Sequence, residues 1–239
     1  MARVEGAIGV STLAQAVGST KARVYRHLRT LVDHGYVEQD SDTEKYSLTL
    51  RLFHLGQAIA DQTDFLAASR RIIPALRSRT NLTVSVGQIE DSGVRVLDIV
   101  KHRSEFEIST RPGALFDFHC SAQGKVALAF GPRQLWDDAT RQPLRAWTAQ
   151  TCTNIRKLEA EIRRVRRQGW AVAPEQVLTG INALAAPVFG ADGTLTGTIS
   201  VLGSIQFLPA KPEREQIAAV LDAAAAISGR LGYRGTPLP

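Results

Sequence analysis

Lys21, Arg23, Arg26 and Arg29 place four cations within nine residues that contain no acid. Cations presented together on one side suit the phosphates and base edges of nucleic acid. A second basic run, Arg163, Arg164, Arg166 and Arg167, is a rival for the same role. His119 and Cys120 invite a different chemistry, a nucleophile beside its base, because a thiol reacts near neutral pH only when a neighbouring base or cation favours the thiolate. Adjacency speaks against that pair. On a strand the two side chains point to opposite faces, and no third group is placed to orient them. No catalytic residue is therefore assigned. The two cysteines, Cys120 and Cys152, are too few for a disulfide framework and lack CxxC spacing, so reduced thiols, no metal and no cofactor are expected.

The elements that position the first cluster follow from local spacing. Ser11 can cap a short helix over 12–17 with Leu13, Ala14 and Val17 inside, and Gly18 breaks it. Ser19 or Thr20 can cap a second helix that runs to about residue 34 and ends at Gly35. Val24, Leu28 and Leu31 recur at i, i+4 and i+7 as its inner stripe. Ala22, Arg26 and Arg29 then face outward, with Arg23 and Tyr25 on the flanks. Tyr36 and Val37, with Tyr46 and Leu48, bracket a polar segment over 38–45 that reads as a β-hairpin. Two short helices joined by a glycine turn, the second with a basic face, form the arrangement that lays a recognition helix in a major groove; the hairpin is its wing. Arg26 is assigned a phosphate or guanine contact. Lys21, Arg23 and Tyr25 are assigned flanking bases or backbone, and Lys45 in the wing a phosphate.

Overall charge contributes little to this reading. The formal net charge is +6, yet residues 1–60 hold seven Lys/Arg against six Asp/Glu, so the cations are focused on one helix face rather than spread. The run at 163–167 lies on a helix over 154–168 with a complete apolar stripe, Ile155, Leu158, Ile162 and Val165. Glu159 and Glu161 are nearby, so a solvated face explains that run without a ligand. Helical spacing returns over 50–60 through Leu52, Leu55 and Ile59, and the polar stretch at 61–64 marks a domain boundary. A helix over 65–79 precedes strands over 83–89 and 94–101. An amphipathic helix, strands over 185–189 and 194–202 and a closing helix over 213–231 complete an α+β second half. No apolar run approaches the roughly 18 residues of a membrane span, and the start lacks the apolar core of a secretory signal. A membrane partner is excluded on this reading, and the cytoplasm is the expected location.

The run STLAQAVGSTKARVYRHLRTLVDHGYVEQDSDTEKYSLTLRLFHLG at 11–56 resembles the IclR family of bacterial regulators. So do RPGALFDFHCSAQGKVALAF at 111–130 and RRVRRQGWAVAPEQVLTGINALAAPVFGADGTLTGTISVLGS at 163–204. The resemblance implies an α+β chain, with a winged helix-turn-helix and linker helix in residues 1–60. Residues 61–239 would be an effector-binding and oligomerising domain related to the GAF sensor fold. It implies a transcription regulator rather than an enzyme, binding double-stranded DNA as a dimer or tetramer, and dimer symmetry implies a pseudo-palindromic operator. The implied DNA-contacting positions are Thr20, Lys21, Ala22, Arg23, Tyr25, Arg26, Arg29 and Lys45.

In the second domain the resemblance makes Cys120 to Gly124 a loop opening a helix over 124–130. Free backbone N–H groups there suit a carboxylate effector. Cys120, Ser121, Ala122 and Gly124 would lie on one side of the ligand, and Glu175, Gly180, Ala183 and Ser200 would face them. Leu115, Phe116, Leu184 and Leu202 would supply an apolar lining suited to an aliphatic or aromatic acid. Three positions depart from the family pattern. Only ten residues precede Ser11, leaving the family's first helix without a counterpart. The usual Ser-Thr at the front of the recognition helix is Ala22-Arg23 and the Leu-Pro opening is Ser19-Thr20, which changes the operator sequence; position 182 carries Asn182. The competing classes are a small-molecule-binding enzyme built on the C-terminal domain, betrayed by turnover, and a protein-binding winged helix, betrayed by a lack of salt-dependent DNA affinity.

Overall fold

The structure is a computed structural model that describes residues 6–55, 64–102 and 110–235. The chain divides into two units, Met1–Thr63 and Asp64–Pro239.

In the first unit helix α1 spans Val10–Ala16 and α2 spans Lys21–Asp33. Strands β1 (Val37–Gln39) and β2 (Tyr46–Leu48) pair antiparallel, Val37 opposite Leu48 and Gln39 opposite Tyr46. The first helix begins before the expected Ser11 cap. Ile8 and Tyr46 exchange two backbone hydrogen bonds of 2.9 Å, and this tie turns the chain so that Gly9 is the N-cap. Ala14, Val24, Leu28, Val37 and Tyr46 form the core. Leu31, expected inside, is 39% exposed on an apolar groove shared with Val17, Leu48, Leu52 and Leu55. The first helix and the hairpin enclose the inner stripe fully only as far as Leu28; on the next turn Val32 packs against the core while Leu31 opens onto the groove. Residues 50–55 are helical; the remainder of the expected 50–60 helix and most of the 61–64 boundary lie outside the described residues.

The second unit carries β3 (Thr83–Glu90), β4 (Gly93–Val100), β5 (Leu115–Phe116), β6 (Ala171–Val172), β7 (Ile181–Phe189) and β8 (Leu195–Ser204). They form one antiparallel sheet in the order β5-β4-β3-β8-β7-β6. Its helices are α3 (Asp64–Arg70), α4 (Ile73–Thr80), α5 (Ala122–Phe130), α6 (Arg133–Ala139), α7 (Ile155–Gln168) and α8 (Arg214–Arg230). The single helix expected over 65–79 is broken into α3 and α4. Pro74, which has no N–H to donate, occupies the first turn of α4, where no donor is missed.

Side chains alternate across the sheet. Leu184, Ile199 and Val201 turn to the face covered by α4 and α8, whereas Ala183, Ala185, Ser200 and Leu202 turn to the face covered by α5. Helix α5 is buried from Ala122 to Ala129, polar Gln123 and Lys125 included, so it is a core helix rather than an amphipathic surface one. Helix α7 starts at Asn154, whose Oδ1 accepts from the Lys157 N–H at 3.1 Å, and ends at Gly169 with φ 81°. Two of the four cations in its basic run have partners within the chain: Arg166 Nε donates to the Ala129 carbonyl at 2.6 Å and Arg163 pairs with Glu159 at 3.3 Å. Ile155, expected inside, is exposed on the first turn. Among the described residues no helix is long and apolar enough to cross a membrane.

Candidate functional site

Thr20 Oγ1 accepts from the Arg23 N–H at 3.4 Å, which starts α2 one residue later, at Lys21. Burying Val24 and Leu28 leaves Lys21, Ala22, Arg23, Tyr25, Arg26 and Arg29 exposed. None of the four cations has an ion-pair partner among the described residues, so their charge is available to an outside anion. Lys45 is exposed at the base of the hairpin turn. Asp40 shapes that turn: its Oδ1 accepts from Thr43 Oγ1 and from the Thr43 N–H, each at 2.7 Å, and from the Asp42 N–H at 3.2 Å. The Thr43 hydroxyl first, then the backbone N–H groups, hold the Asp40 carboxyl below its ordinary range.

In the second unit a cavity of about 350 Å³ lies beside the start of α5. Ser121, Ala122, Gln123, Ala183, Ser200 and Leu202 border it, and Phe116, Trp147, Val177 and Leu178 add apolar wall. The helix starts two residues earlier than expected. Ser121 is its N-cap, with Oγ accepting from the Gly124 N–H at 3.0 Å. The N–H groups left without a partner among the described residues are therefore those of Ala122 and Gln123. Of the residues expected at the effector, Ser121, Ala122, Ala183 and Ser200 border the cavity, and Cys120, Gly124, Glu175 and Gly180 do not. Gly124 is a close-approach position: a Cβ there would stand 2.5 Å from both Cα and O of Phe118. Glu175 sits in left-handed backbone, φ 56°, and its Oε1 accepts from the Gly180 N–H at 2.8 Å, so this pair shapes the loop that carries Val177 and Leu178. Leu184 turns to the other face of the sheet, one residue out of register with Ala183. Leu115 is exposed at the sheet edge.

Local spacing gives Lys125 no role, yet it anchors the loop over the cavity. Its buried Nζ donates to Gln176 Oε1 at 2.9 Å and pairs with Glu161 Oε2 at 2.7 Å. Thr148 and Thr151 hydroxyls donate to the carbonyls of Glu175 and Gln176 at 2.6 and 2.7 Å. A lysine one turn into an apolar helix, with a glutamate on the neighbouring helix, is the available sequence signal.

His119 and Cys120 lie in a turn, not on a strand, so their side chains do not diverge as expected. Donor atoms of Asp117, His119 and Cys120 all fall within 4.8 Å of one another. His119 Nε2 donates to the Arg145 carbonyl at 2.8 Å and Asp117 Oδ2 accepts from Trp147 Nε1 at 2.8 Å. Three donors are one fewer than a closed tetrahedral zinc set. Burial first, then the Asp117 charge, pushes the Cys120 thiol up to about 12, so it is protonated at neutral pH and is not an activated nucleophile.

Residues 57–229 match the family described as bacterial transcriptional regulator IclR C-terminal, and residues 1–41 match the IclR helix-turn-helix domain. The chain is 30% identical over 240 residues to the HTH-type transcriptional regulator KdgR of Escherichia coli (strain K12), covering 98% of this chain and 89% of that one. An IclR transcriptional regulator from Silicibacter sp. TM1040 matches with a TM-score of 0.84 at 27% identity, over 98% of this chain and 92% of that one. An IclR homologue from Microbacterium hydrocarbonoxydans, complexed with 4-hydroxybenzoate, shares the fold at TM-score 0.83 and 18% identity, over 94% and 91% of the two chains. These neighbours share the architecture expected from the sequence, a helix-turn-helix followed by an α+β domain of GAF type. An exposed, unpaired cationic helix, this architecture and family matches along almost the whole chain agree: the chain belongs to the IclR family of DNA-binding bacterial transcriptional regulators.

Proposed function

We propose that this regulator's hold on its operator is set by a small carboxylate bound in the cavity beside α5. The observation that carries the reading is the pair of free N–H groups, Ala122 and Gln123, at the start of a buried helix bordering that cavity. Such a helix start attracts an anion through its unpaired donors and its dipole. A cavity of about 350 Å³ suits a small molecule, and a protein of the same fold is complexed with a carboxylic acid, 4-hydroxybenzoate. Residues 1–60 act as the DNA-binding part with its linker helix, and residues 61–239 as the effector-binding and oligomerising part. Two copies present their recognition helices to a pseudo-palindromic operator, and an acid that binds one arrangement of the pair better than another shifts the equilibrium between them. The regulator acts as a repressor or local activator.

Gel-shift of the chain on its own upstream region, with and without a panel of carboxylic acids, tests this. A shift whose midpoint moves with one acid supports the reading, and turnover of the bound acid overturns it in favour of an enzyme. Arg26→Ala is expected to weaken binding on every sequence and to lower the salt slope by about one unit, as loss of one phosphate contact would. An unchanged slope removes Arg26 from the interface.

A further inference from the structure

Asp117, His119 and Cys120 fall within four consecutive residues of the turn before α5, and neither the DNA contact nor the effector reading uses them as a group. A carboxylate oxygen, an imidazole nitrogen and the thiol sulfur lie there within 4.8 Å of one another, and His119 and Cys120 are buried. The bonds that hold the turn leave those side chains available. Ser121 Oγ donates to the backbone carbonyl of Asp117 at 2.9 Å, and the thiol makes only a long contact, 3.8 Å, to the same oxygen. The groups around the three are the outer support of a metal site. His119 Nε2 donates to the Arg145 carbonyl at 2.8 Å, which fixes the ring and leaves Nδ1, with no partner among the described residues, as the nitrogen that keeps its lone pair. Trp147 Nε1 donates to Asp117 Oδ2 at 2.8 Å, and Oδ1 has no partner among the described residues. Asp117 and His119 also border a polar opening of about 320 Å³, which gives an ion a way in. Two arginines line that opening, and each already has a partner: Arg141 pairs with Asp138 at 2.7 Å, and the Arg145 guanidinium stacks on the Trp147 ring at 4.0 Å.

From this donor set and its support we infer a binding site for one divalent ion of the zinc class, held by Asp117, His119 and Cys120 with water as the fourth ligand. Carboxylate, imidazole and thiolate together suit a borderline ion such as Zn²⁺ or Co²⁺ and disfavour Mg²⁺ and Ca²⁺, which take oxygen ligands. A tetrahedral ion with bonds of about 2.0–2.3 Å sets its ligands about 3.4–3.8 Å apart, so donors already within 4.8 Å reach it by small side-chain rotations. Binding converts the thiol to the thiolate and releases one proton to solvent. The thiolate and the carboxylate then balance the two charges of the ion. Because the Asp117 carboxylate also holds Trp147, a wall residue of the cavity beside α5, the ion steadies that wall from behind. None of this depends on what the cavity itself binds.

Titration of the full chain with Co²⁺, after dialysis against a chelator, tests the site, because cobalt bound by a thiolate gains a ligand-to-metal charge-transfer band in the near ultraviolet. Saturation at one equivalent per chain is expected, with loss of the band when Zn²⁺ displaces the cobalt. Cys120→Ser is expected to abolish the band and Cys152→Ser to leave it intact; Cys120→Ala takes the place of the serine variant if that one does not fold. Asp117→Asn, which keeps an oxygen for Trp147 but loses the charge, and His119→Gln are each expected to weaken binding tenfold or more. The second readout is thermal. Zn²⁺ is expected to raise the melting temperature of the unaltered chain and of Cys152→Ser, but not of the Cys120 variant, and Mg²⁺ to move none of them. Absence of the band at one equivalent overturns the site. So does a band that is lost with Cys152 rather than Cys120, or a Zn²⁺ affinity unchanged in both Asp117→Asn and His119→Gln.

Discussion

Cys120 and Gln123 lie three residues apart and both are buried, but burial changes the chemistry of only one of them. Gln123 has no charge to lose, so burial leaves its donors intact and unpaired. Cys120 is 1% exposed, and burial removes the stabilisation that water gives a thiolate; Asp117 adds repulsion, and Lys125 opposes the shift without cancelling it. The folded chain therefore holds a proton on Cys120 that the unfolded chain, with an ordinary thiol value of 9.0, releases. Stability is expected to fall as pH rises from about 9 towards 12, since the unfolded state gains by losing that proton. Maleimide labelling near pH 7.5 followed by mass spectrometry provides the check. Cys152, which is only partly buried, is expected to label first, and Cys120 only when the protein is unfolded. Equal rates for the two would show that Cys120 is neither shielded nor shifted.

At the scale of elements, the start of α5 decides which of its groups border the cavity. Its first turn can press against the turn before it because position 124 has no Cβ. In Gly124→Ala the new methyl would meet backbone at Phe118 and Asp117, 2.5–2.7 Å away, and backbone cannot step aside cheaply. A loss of about 2 kcal/mol is expected, in the range for overpacked cores. Gly229 supplies the contrast. It lies near the end of α8 with ordinary helical φ and open space around its Cβ position, so Gly229→Ala is expected to stabilise by about 0.5 kcal/mol. Chemical denaturation of the two variants measures both signs. Equal effects would mean that the close approach at Gly124 does not constrain the helix.

At the scale of the whole molecule, the proposed function sets two copies of the chain on one operator. Recognition helices related by a two-fold axis read half-sites about one helical turn apart, roughly 34 Å. Inserting five base pairs between the half-sites turns them to opposite faces of the duplex, and operator affinity is expected to drop more than tenfold, as quantitative gel-shift would read. Ten base pairs restore the face and are expected to recover part of the loss. An operator indifferent to five base pairs would rule out paired recognition. Coupling to the acid is expected to move operator affinity by about 5- to 150-fold, the span of ordinary allosteric free energies.

Much of the architecture was legible because its causes are local. Thr20 and Asn154 cap their helices through atoms three residues away, and the Val24 and Leu28 stripe leaves Arg26 and Arg29 outside by helical geometry alone. Where a distant element intervened, local reasoning failed. Tyr46 bridges Ile8 and moves the start of α1, and Leu31 opens onto a groove while its neighbour Val32 takes the place against the core. The cavity depended most on tertiary structure. Ser85 meets Ser200 across 115 positions, Lys125 reaches Glu161 and Gln176 on other elements, and Val94, Gln123 and Thr198 crowd the face of Gly87 where a Cβ would stand. The sequence by itself determined the recognition helix, its cationic face and the family, since these rest on spacing and residue type. Only the tertiary structure decided which side chains border the cavity, because a one-residue change of strand register exchanges Ala183 for Leu184 and turns the wall inside out.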